Sequence, residues 1–270
     1  MKKFQYYVVY LAYEPYKIDN FKKFINKYKY HHSGQKHRLV ICFKKFSSKR
    51  SILEWKKFLK GIKYTAIIDN CKIDGFDFGS YIRVANKYKN KIILFLNSYS
   101  YPIVNNWLKL ITKHYDENTL VGCSASYGSL SSSFFTKYYR INILKRLMYG
   151  FANLFRFPVF PNPQIRSNAF LIKGSDFLSL KVPKFFKNKI QTSLIESGWS
   201  GMTRQFKRRK FRIILASSNG MGFKENNWLN SEVYSFKNQK NLIISDNRTR
   251  VYNNLSLKNK KKETKFHWGV

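Results

Sequence analysis

The sequence predicts an α/β fold, a single domain in which a mostly parallel sheet is flanked by helices. Three observations predict it. Apolar strand-like runs alternate along the first half with segments whose apolar residues recur at helical spacing, the pattern of strand-helix-strand units. The strand-like runs close on polar residues, as in IIDN and ILFLN, where an α/β sheet presents its ligand edge. With 270 residues, 44% of them hydrophobic and 18% aromatic, the chain has ample material for a packed core.

The first strand is YYVVYLAY, residues 6–13. The basic, apolar start superficially resembles a secretion leader, but it is rich in Tyr and ends at Glu14-Pro15 with no small-residue cleavage site. A helix follows from Asp19, read as its N-cap, to Tyr30. HRLVICFK (37–44) is the second strand, and SILEWKKFLKG (51–61) a helix ending at Gly61. YTAIIDN (64–70) is the third strand, Phe78 to Tyr88 a helix, and KIILFLN (91–97) the fourth strand. Val104 to His114 reads as helical and LVGCSAS (120–126) as the fifth strand.

The middle changes character. Residues 129–163 begin with a Ser-rich loop, continue as a basic, aromatic, helical segment and end in a Pro-punctuated stretch. Tyr138, Ile141, Leu144, Leu147, Met148 and Phe151 share one side at helical spacing, with Lys137, Arg140, Lys145 and Arg146 nearer the other. Such a helix suits an anionic membrane surface, or packs on the body with a solvated basic face. IRSNAFLIKG (165–174) is strand-like, with Asp176 a turn or cap residue. A helix lies within 191–211, a strand at 211–217, and a last strand and turn at 241–252. From Asn253 the Lys-rich tail reads as a solvated charge run. No internal repeat is visible.

The 51 basic residues against 14 acidic ones give a formal charge of +37. That charge draws nucleic acid, anionic headgroups or phosphate-bearing substrates. The abundance of Lys, Asn, Ile, Tyr and Phe is also the profile of AT-rich coding, so part of the charge need carry no function. The basic residues are spread along the whole chain, and no nucleic-acid-binding signature occurs, which makes nucleic acid a poor fit as partner. Neither GxxxxGK[ST] nor GxGxxG is present. Cys42, Cys71 and Cys123 form no CxxC pair, and Cys42 and Cys71 read as buried thiols in a reducing compartment. No run of 18 apolar residues occurs. The expected location is cytoplasmic, extending to the inner face of the plasma membrane.

Scarce acid narrows carboxylate chemistry. Glu54, Asp116, Glu117 and Glu263 fall at solvated positions. Glu14, Asp69 and Asp246 directly follow strand patterns, and Asp74 and Asp77 lie just beyond Asp69. If those strands are neighbours, several acids meet Asn97 on one sheet edge.

The order of IIDN, GFDFGSY (75–81), ILFLNSYSYP (93–102) and VNNWLKLI resembles the nucleotide-sugar half of GT-A fold glycosyltransferases. More narrowly it resembles the family 2-like and rhamnan-synthesis enzymes, where a G-x-D-x-G-A-Y/W stretch precedes an apolar strand ending in an Asn-Asp-Ser-like turn. PNPQIRSNAFLI followed by ESGWSGMTRQ is similar to their acceptor half. The likeness covers residues 6–250 and implies a GT-A-like domain over 1–252, comprising a nucleotide-sugar half (1–126), a basic aromatic insertion (127–164) and an acceptor half (165–252), with a basic tail at 253–270. It implies transfer of a sugar from a nucleotide-sugar donor to a surface polysaccharide or lipid-linked acceptor. Glu196 falls where these enzymes carry the general base. Tyr13, Glu14, Asp69, Asn70, Asp77, Asn97, Ser98, Tyr99, Arg166 and Asn168 would line the donor site, with Tyr13 stacking on the base.

One departure is plain. The turn Asn97-Ser98-Tyr99 has no carboxylate where relatives hold Mg²⁺ or Mn²⁺. Either Asp69 or Asp77 holds a metal from an adjacent loop, or Arg166, Arg204, Arg248 and Arg250 neutralise the diphosphate directly; the cationic excess favours the second. Two other readings stay open: a catalytically silent binding protein of the same fold, and a basic nucleic-acid-binding protein.

Overall fold

The computed structural model describes residues 5–71, 75–132, 143–183 and 188–270, and for residues 143–147 and 149 the backbone alone. The central sheet has eight strands. Four of them, β1 (Tyr6–Tyr13), β2 (His37–Lys44), β3 (Tyr64–Asp69) and β4 (Ile92–Leu96), lie parallel in the order β3-β2-β1-β4. Their connections are α1 (Ile18–Tyr30), α2 (Lys49–Lys56) and α3 (Phe76–Lys87). The short β5 (Tyr101–Pro102) and helix α4 (Trp107–Thr112) follow, and β6 (Thr119–Gly122) joins the far side of the sheet. A two-residue ladder links β7 (Ala125–Ser126) to β8 (Gln164–Ile165), across the helix α5 (Ile143–Arg156).

The prediction of a mostly parallel α/β sheet holds, with one departure that shapes the edge. Strand β9 (Ala169–Lys173) inserts between β4 and β6 and runs antiparallel to both. Beyond it come α6 (Gly174–Leu178), α7 (Lys189–Ser197), α8 (Met202–Arg208) and β10 (Arg212–Ala216), parallel to β6, with β11 (Gly222–Phe223) at the margin.

Both sheet faces are buried, which is why the strands read as continuous apolar runs. Along β1, Tyr7, Val9 and Leu11 enter the core under α3, α7 and α8, while Val8, Tyr10 and Ala12 enter the core under α1, α2 and α4. The alternation is the period-2 consequence of the pleat. Among the described residues no helix is long and apolar enough to cross a membrane.

Several expectations fail locally. Helix α1 starts one residue before Asp19 from Lys17, so Asp19 sits in the first turn and not at the cap. The segment 241–252 is not a strand. It is a two-residue bridge, β12 (Ile244–Ser245), paired antiparallel with β5, and then the helix α9 (Asn247–Asn253). Asp246 reverses the direction there. Its carboxylate accepts from the Thr249 N–H while the Thr249 hydroxyl accepts from the Asp246 N–H, a reciprocal helix cap. The tail is not a solvated run either, since Leu257–Trp268 forms helix α10 and plants His267 and Trp268 in the body. Its Lys residues fill the exposed faces, which hid two anchors at the end of a charged segment. Cys42 and Cys123 are buried, but Cys71 is exposed because it lies past the end of β3. The positions Asp74, Lys137, Tyr138, Arg140 and Ile141 lie outside the described residues.

Candidate functional site

The order β3-β2-β1-β4 makes the gap between the carboxyl ends of β1 and β4 a switch point, where adjacent connections leave in opposite directions and a crevice opens. Two antiparallel pairings then bring distant segments to that crevice. Because β9 runs backward, the residues just before it reach the carboxyl ends of β1 and β4: the Asn168 carbonyl accepts from the Asn97 N–H at 3.0 Å and from the Ser100 hydroxyl at 3.0 Å. Because β12 pairs with β5, helix α9 starts beside the turn that follows β4.

An aromatic wall spans the switch point. The rings of Tyr13 and Tyr16, beyond β1, meet edge to face at 4.6 Å, and Tyr16 meets Tyr99, beyond β4, at 4.7 Å. Burial pushes the Tyr16 phenol up to about 12, with neighbouring Tyr99 and Asp77 adding to the rise. Asp77 lies in the first turn of α3, close enough for its charge to disfavour ionisation of Tyr16 and Tyr99.

The Asn97-Ser98-Tyr99 turn is held from within. The Asn97 Oδ1 accepts from the Tyr99 N–H at 3.1 Å and from the Ser100 hydroxyl at 2.8 Å. The buried Tyr10 hydroxyl donates to the Ser98 carbonyl at 2.7 Å, and Arg250 Nη1 donates to the Tyr99 carbonyl at 3.1 Å while its guanidinium lies over Tyr101. Two polar side-chain atoms here are buried without a partner, Ser98 Oγ and Asn168 Nδ2. The other end of that amide, Asn168 Oδ1, accepts from the Ser124 hydroxyl at 2.7 Å. Orphaned groups of this kind mark a place where a polar ligand or water completes the set.

Next to them lies a buried charge pair. Arg166 Nη2 stands 2.9 Å from the Oδ2 of the fully buried Asp246, and the guanidinium stacks on Tyr234 at 4.1 Å. Burial alone would lower the basicity of Arg166; Asp246, Tyr234 and Glu196 outweigh it and drive the guanidinium further toward its charged form. Glu196, near the end of α7, is half-buried, and its Oε1 accepts from the Ser167 N–H at 2.6 Å. The fully buried Tyr81 points its hydroxyl toward the Ser167 carbonyl, with Asp77 and Glu196 both close enough to disfavour its ionisation after burial has done so. Tyr13, Asp77, Asn97, Ser98, Tyr99, Arg166, Asn168, Glu196 and Arg250 therefore gather at one edge.

The remaining sequence candidates are placed differently. Asp69 is buried, and its two oxygens take a bidentate grip from Arg83 at 2.7 and 2.6 Å plus the Ser80 hydroxyl at 2.6 Å. Glu14 accepts from the Ser47 N–H at 2.6 Å and from the Ser47 and Ser51 hydroxyls, tying the end of β1 to α2. Asn70 is exposed beyond β3. Arg204 donates to Asn162 Oδ1 and lies over Trp199. Arg248 is exposed on α9 and only partly offsets the burial that pushes the Tyr234 phenol up.

A divalent cation fits this edge poorly. Asn97 spends its oxygen on the turn, Ser98 offers a neutral hydroxyl, and Asp69 is held by Arg83, which leaves Asp77 of the two proposed carboxylates. Among the described residues no three His, Cys, Asp or Glu side chains stand together as ligands.

Sequence reasoning missed Tyr16, Tyr234 and Ser124. Tyr16 had a readable signal, since Glu14-Pro15-Tyr16 directly follows a strand end in the place where Tyr13 was already singled out. Tyr234 and Ser124 had none, because only the β5–β12 pairing and the backward β9 bring them in.

No family model matches the chain, and no curated protein matches it. Among solved structures it is similar to the mannosyltransferase PcManGT of Pyrobaculum calidifontis, in a complex with GDP-Man and Mn²⁺, at 8% identity and a TM-score of 0.48 over 87% of this chain and 61% of that one. It is similar to the glycosyltransferase GlyE of Streptococcus pneumoniae TIGR4 at 9% identity and a TM-score of 0.42, over 78% of this chain and 45% of that one. For the bifunctional glycosyltransferase WbbM the values are 10% and 0.46, over 99% of this chain and 46% of that one. The chain thus spans about three fifths of the first of these longer chains and under half of the other two.

Proposed function

We propose that the chain is a glycosyltransferase of GT-A-like architecture, taking a sugar from a nucleotide-sugar donor. The observation that carries this reading is the switch-point edge, where the Tyr13–Tyr16–Tyr99 wall, Arg250 on the Tyr99 carbonyl, Arg166 and the orphaned Ser98 and Asn168 groups come together. Aromatic faces suit a nucleobase. Guanidinium groups suit a diphosphate, and they stabilise the charge that develops on it as the glycosidic bond breaks. In this reading residues 1–126 form the donor half, 127–164 the insertion and 165–252 the acceptor half.

Glu196 is the base that takes the proton from the acceptor hydroxyl. Its support is the Ser167 N–H contact, which fixes one carboxylate oxygen and leaves the other for chemistry, next to the cationic Arg166. Diphosphate neutralisation falls to arginine. The acceptor is a surface glycan or a lipid-linked saccharide.

The test is a calorimetric and thermal-shift titration with UDP, GDP, dTDP and CMP, each with and without Mn²⁺. A ligand that binds the native state raises its apparent stability. One nucleotide raising the midpoint selectively, with little gain from Mn²⁺, supports the reading. A flat response to all four overturns it, and binding without turnover on any nucleotide-sugar would favour the catalytically silent alternative.

A further inference from the structure

Helix α5 carries a ridge that nothing in the described structure covers. Met148, Phe151 and Phe155, at successive turns on one side, are 70%, 67% and 77% exposed, and the rings of Phe151 and Phe155 lie 6.0 Å apart. The opposite side is seated on the body through the buried Gly150 and Phe157. Isolated exposed apolar residues need no explanation, but a row of them on one anchored helix marks an interaction surface.

The ridge continues into a second element. Trp199, just beyond α7 and half exposed, donates its indole N–H to the Leu154 carbonyl at 3.3 Å and its backbone N–H to the Arg156 carbonyl at 3.3 Å. These bonds dock the indole onto the last turn of α5. Cations surround it. The Arg204 guanidinium lies 5.5 Å over the ring, Arg208 donates to the Trp199 carbonyl at 3.4 Å, and Arg156 is exposed at the helix end. An apolar ridge edged by an indole and arginines matches the boundary between lipid headgroups and acyl chains.

We infer that this surface docks on an anionic bilayer, with Met148, Phe151 and Phe155 inserted among the acyl chains and Arg156, Arg204 and Arg208 at the lipid phosphates. Charge selects the occupant. A second copy of a chain of formal charge +37 would bring like charge against like, whereas an anionic membrane is complementary. The docking surface does not depend on the sugar-transfer reading. Only its consequence does: Trp199 lies three residues beyond Glu196, so docking would set the proposed base at the membrane face and select a lipid-linked acceptor.

The experiment is co-sedimentation of the whole chain with vesicles of phosphatidylcholine alone and of phosphatidylcholine mixed with phosphatidylglycerol, at low and physiological salt. The wild type should bind the anionic vesicles at both salts. F151D/F155D should bind at least about ten-fold more weakly, losing two inserted aromatic side chains, and Phe151→Leu with Phe155→Leu should restore binding. Both positions are exposed, so circular dichroism should show the variants folded. Equal binding by F151D/F155D and wild type would show attraction by diffuse charge only and overturn the surface. So would concentration-dependent dimerisation lost in the same variant, or a single-stranded oligonucleotide whose binding that variant abolishes. Nucleotide titration of the same samples reads the donor site separately.

Discussion

Replacing Arg83 by Met should show what Asp69 is for. The Asp69 carboxylate is 4% exposed, and Arg83, 32% exposed, supplies two of its short hydrogen bonds. Breaking a buried pair from one side costs about 3–5 kcal/mol, because the remaining charge is left in a poorly solvated place. Water reaching the Arg83 side, together with the Ser80 hydroxyl, places the expected loss near the lower bound, about 3 kcal/mol. For a chain of this size that lowers the unfolding midpoint by about 6–12 °C, at about 2–4 °C per kcal/mol. The assay is urea denaturation at neutral pH, with D69N and the double variant completing a cycle; the two residues should couple by more than about 1 kcal/mol. The pH dependence carries a sign. Burial pushes the Asp69 carboxyl up, but hydrogen bonds from Arg83, Ser80 and the Cys71 N–H outweigh it and hold the group below its ordinary value. The contribution is therefore present above the ordinary carboxylate range and lost as pH falls through the lower folded value, so wild type and R83M should converge in acid. A neutral-pH difference within about 0.5 kcal/mol would refute the reasoning and return Asp69 to the list of ligand-binding carboxylates.

Three further outcomes are expected. E196Q should lower nucleoside diphosphate release by about 10²–10⁴-fold, since a general base is lost while the Gln oxygen still accepts from the Ser167 N–H; full activity in a stopped-flow or coupled assay would remove Glu196 from the chemistry. Arg250→Met should weaken nucleoside diphosphate binding by about ten- to a hundred-fold in calorimetry, as a charge-assisted contact disappears, and unchanged affinity would leave Arg250 as a brace for the Tyr99 carbonyl. Trp268→Ala should cost about 3–5 kcal/mol in denaturation, because the ring is buried against Tyr127 and donates to the Tyr234 carbonyl at 2.7 Å; a solvated tail would show no change.

The parallel core was legible because three of its four strands, β1, β2 and β4, are buried on both faces. YYVVYLAY, HRLVICFK and IILFL announce themselves as apolar runs, and the polar residues that end them mark the crevice edge. Asn97, Tyr99 and Tyr13 were found for that reason. What was not legible depends on pairings with no local signature. Nothing in AFLIK says that it runs backward between two strands, yet that reversal seats Asn168 against Asn97. Nothing in IISDN says that a two-residue bridge gives way to a helix, because Asp246 looks the same as a turn residue or a cap. Asp69 looked like a ligand because its partner, Arg83, sits fourteen residues away on a helix face, a spacing that carries no message until β3 and α3 pack.

The backward strand also sets a timetable for assembly. β9 occupies the place between β4 and β6, although it leaves the ribosome after both. Until it arrives, each of those strands presents an open edge to whatever is nearby, and an open edge is a template for pairing with another nascent chain. At about 5–20 residues per second that interval lasts several seconds. A chaperone that shields strand edges would act in that window, and slowing translation between residues 123 and 168 should raise aggregation more than slowing it anywhere before β4.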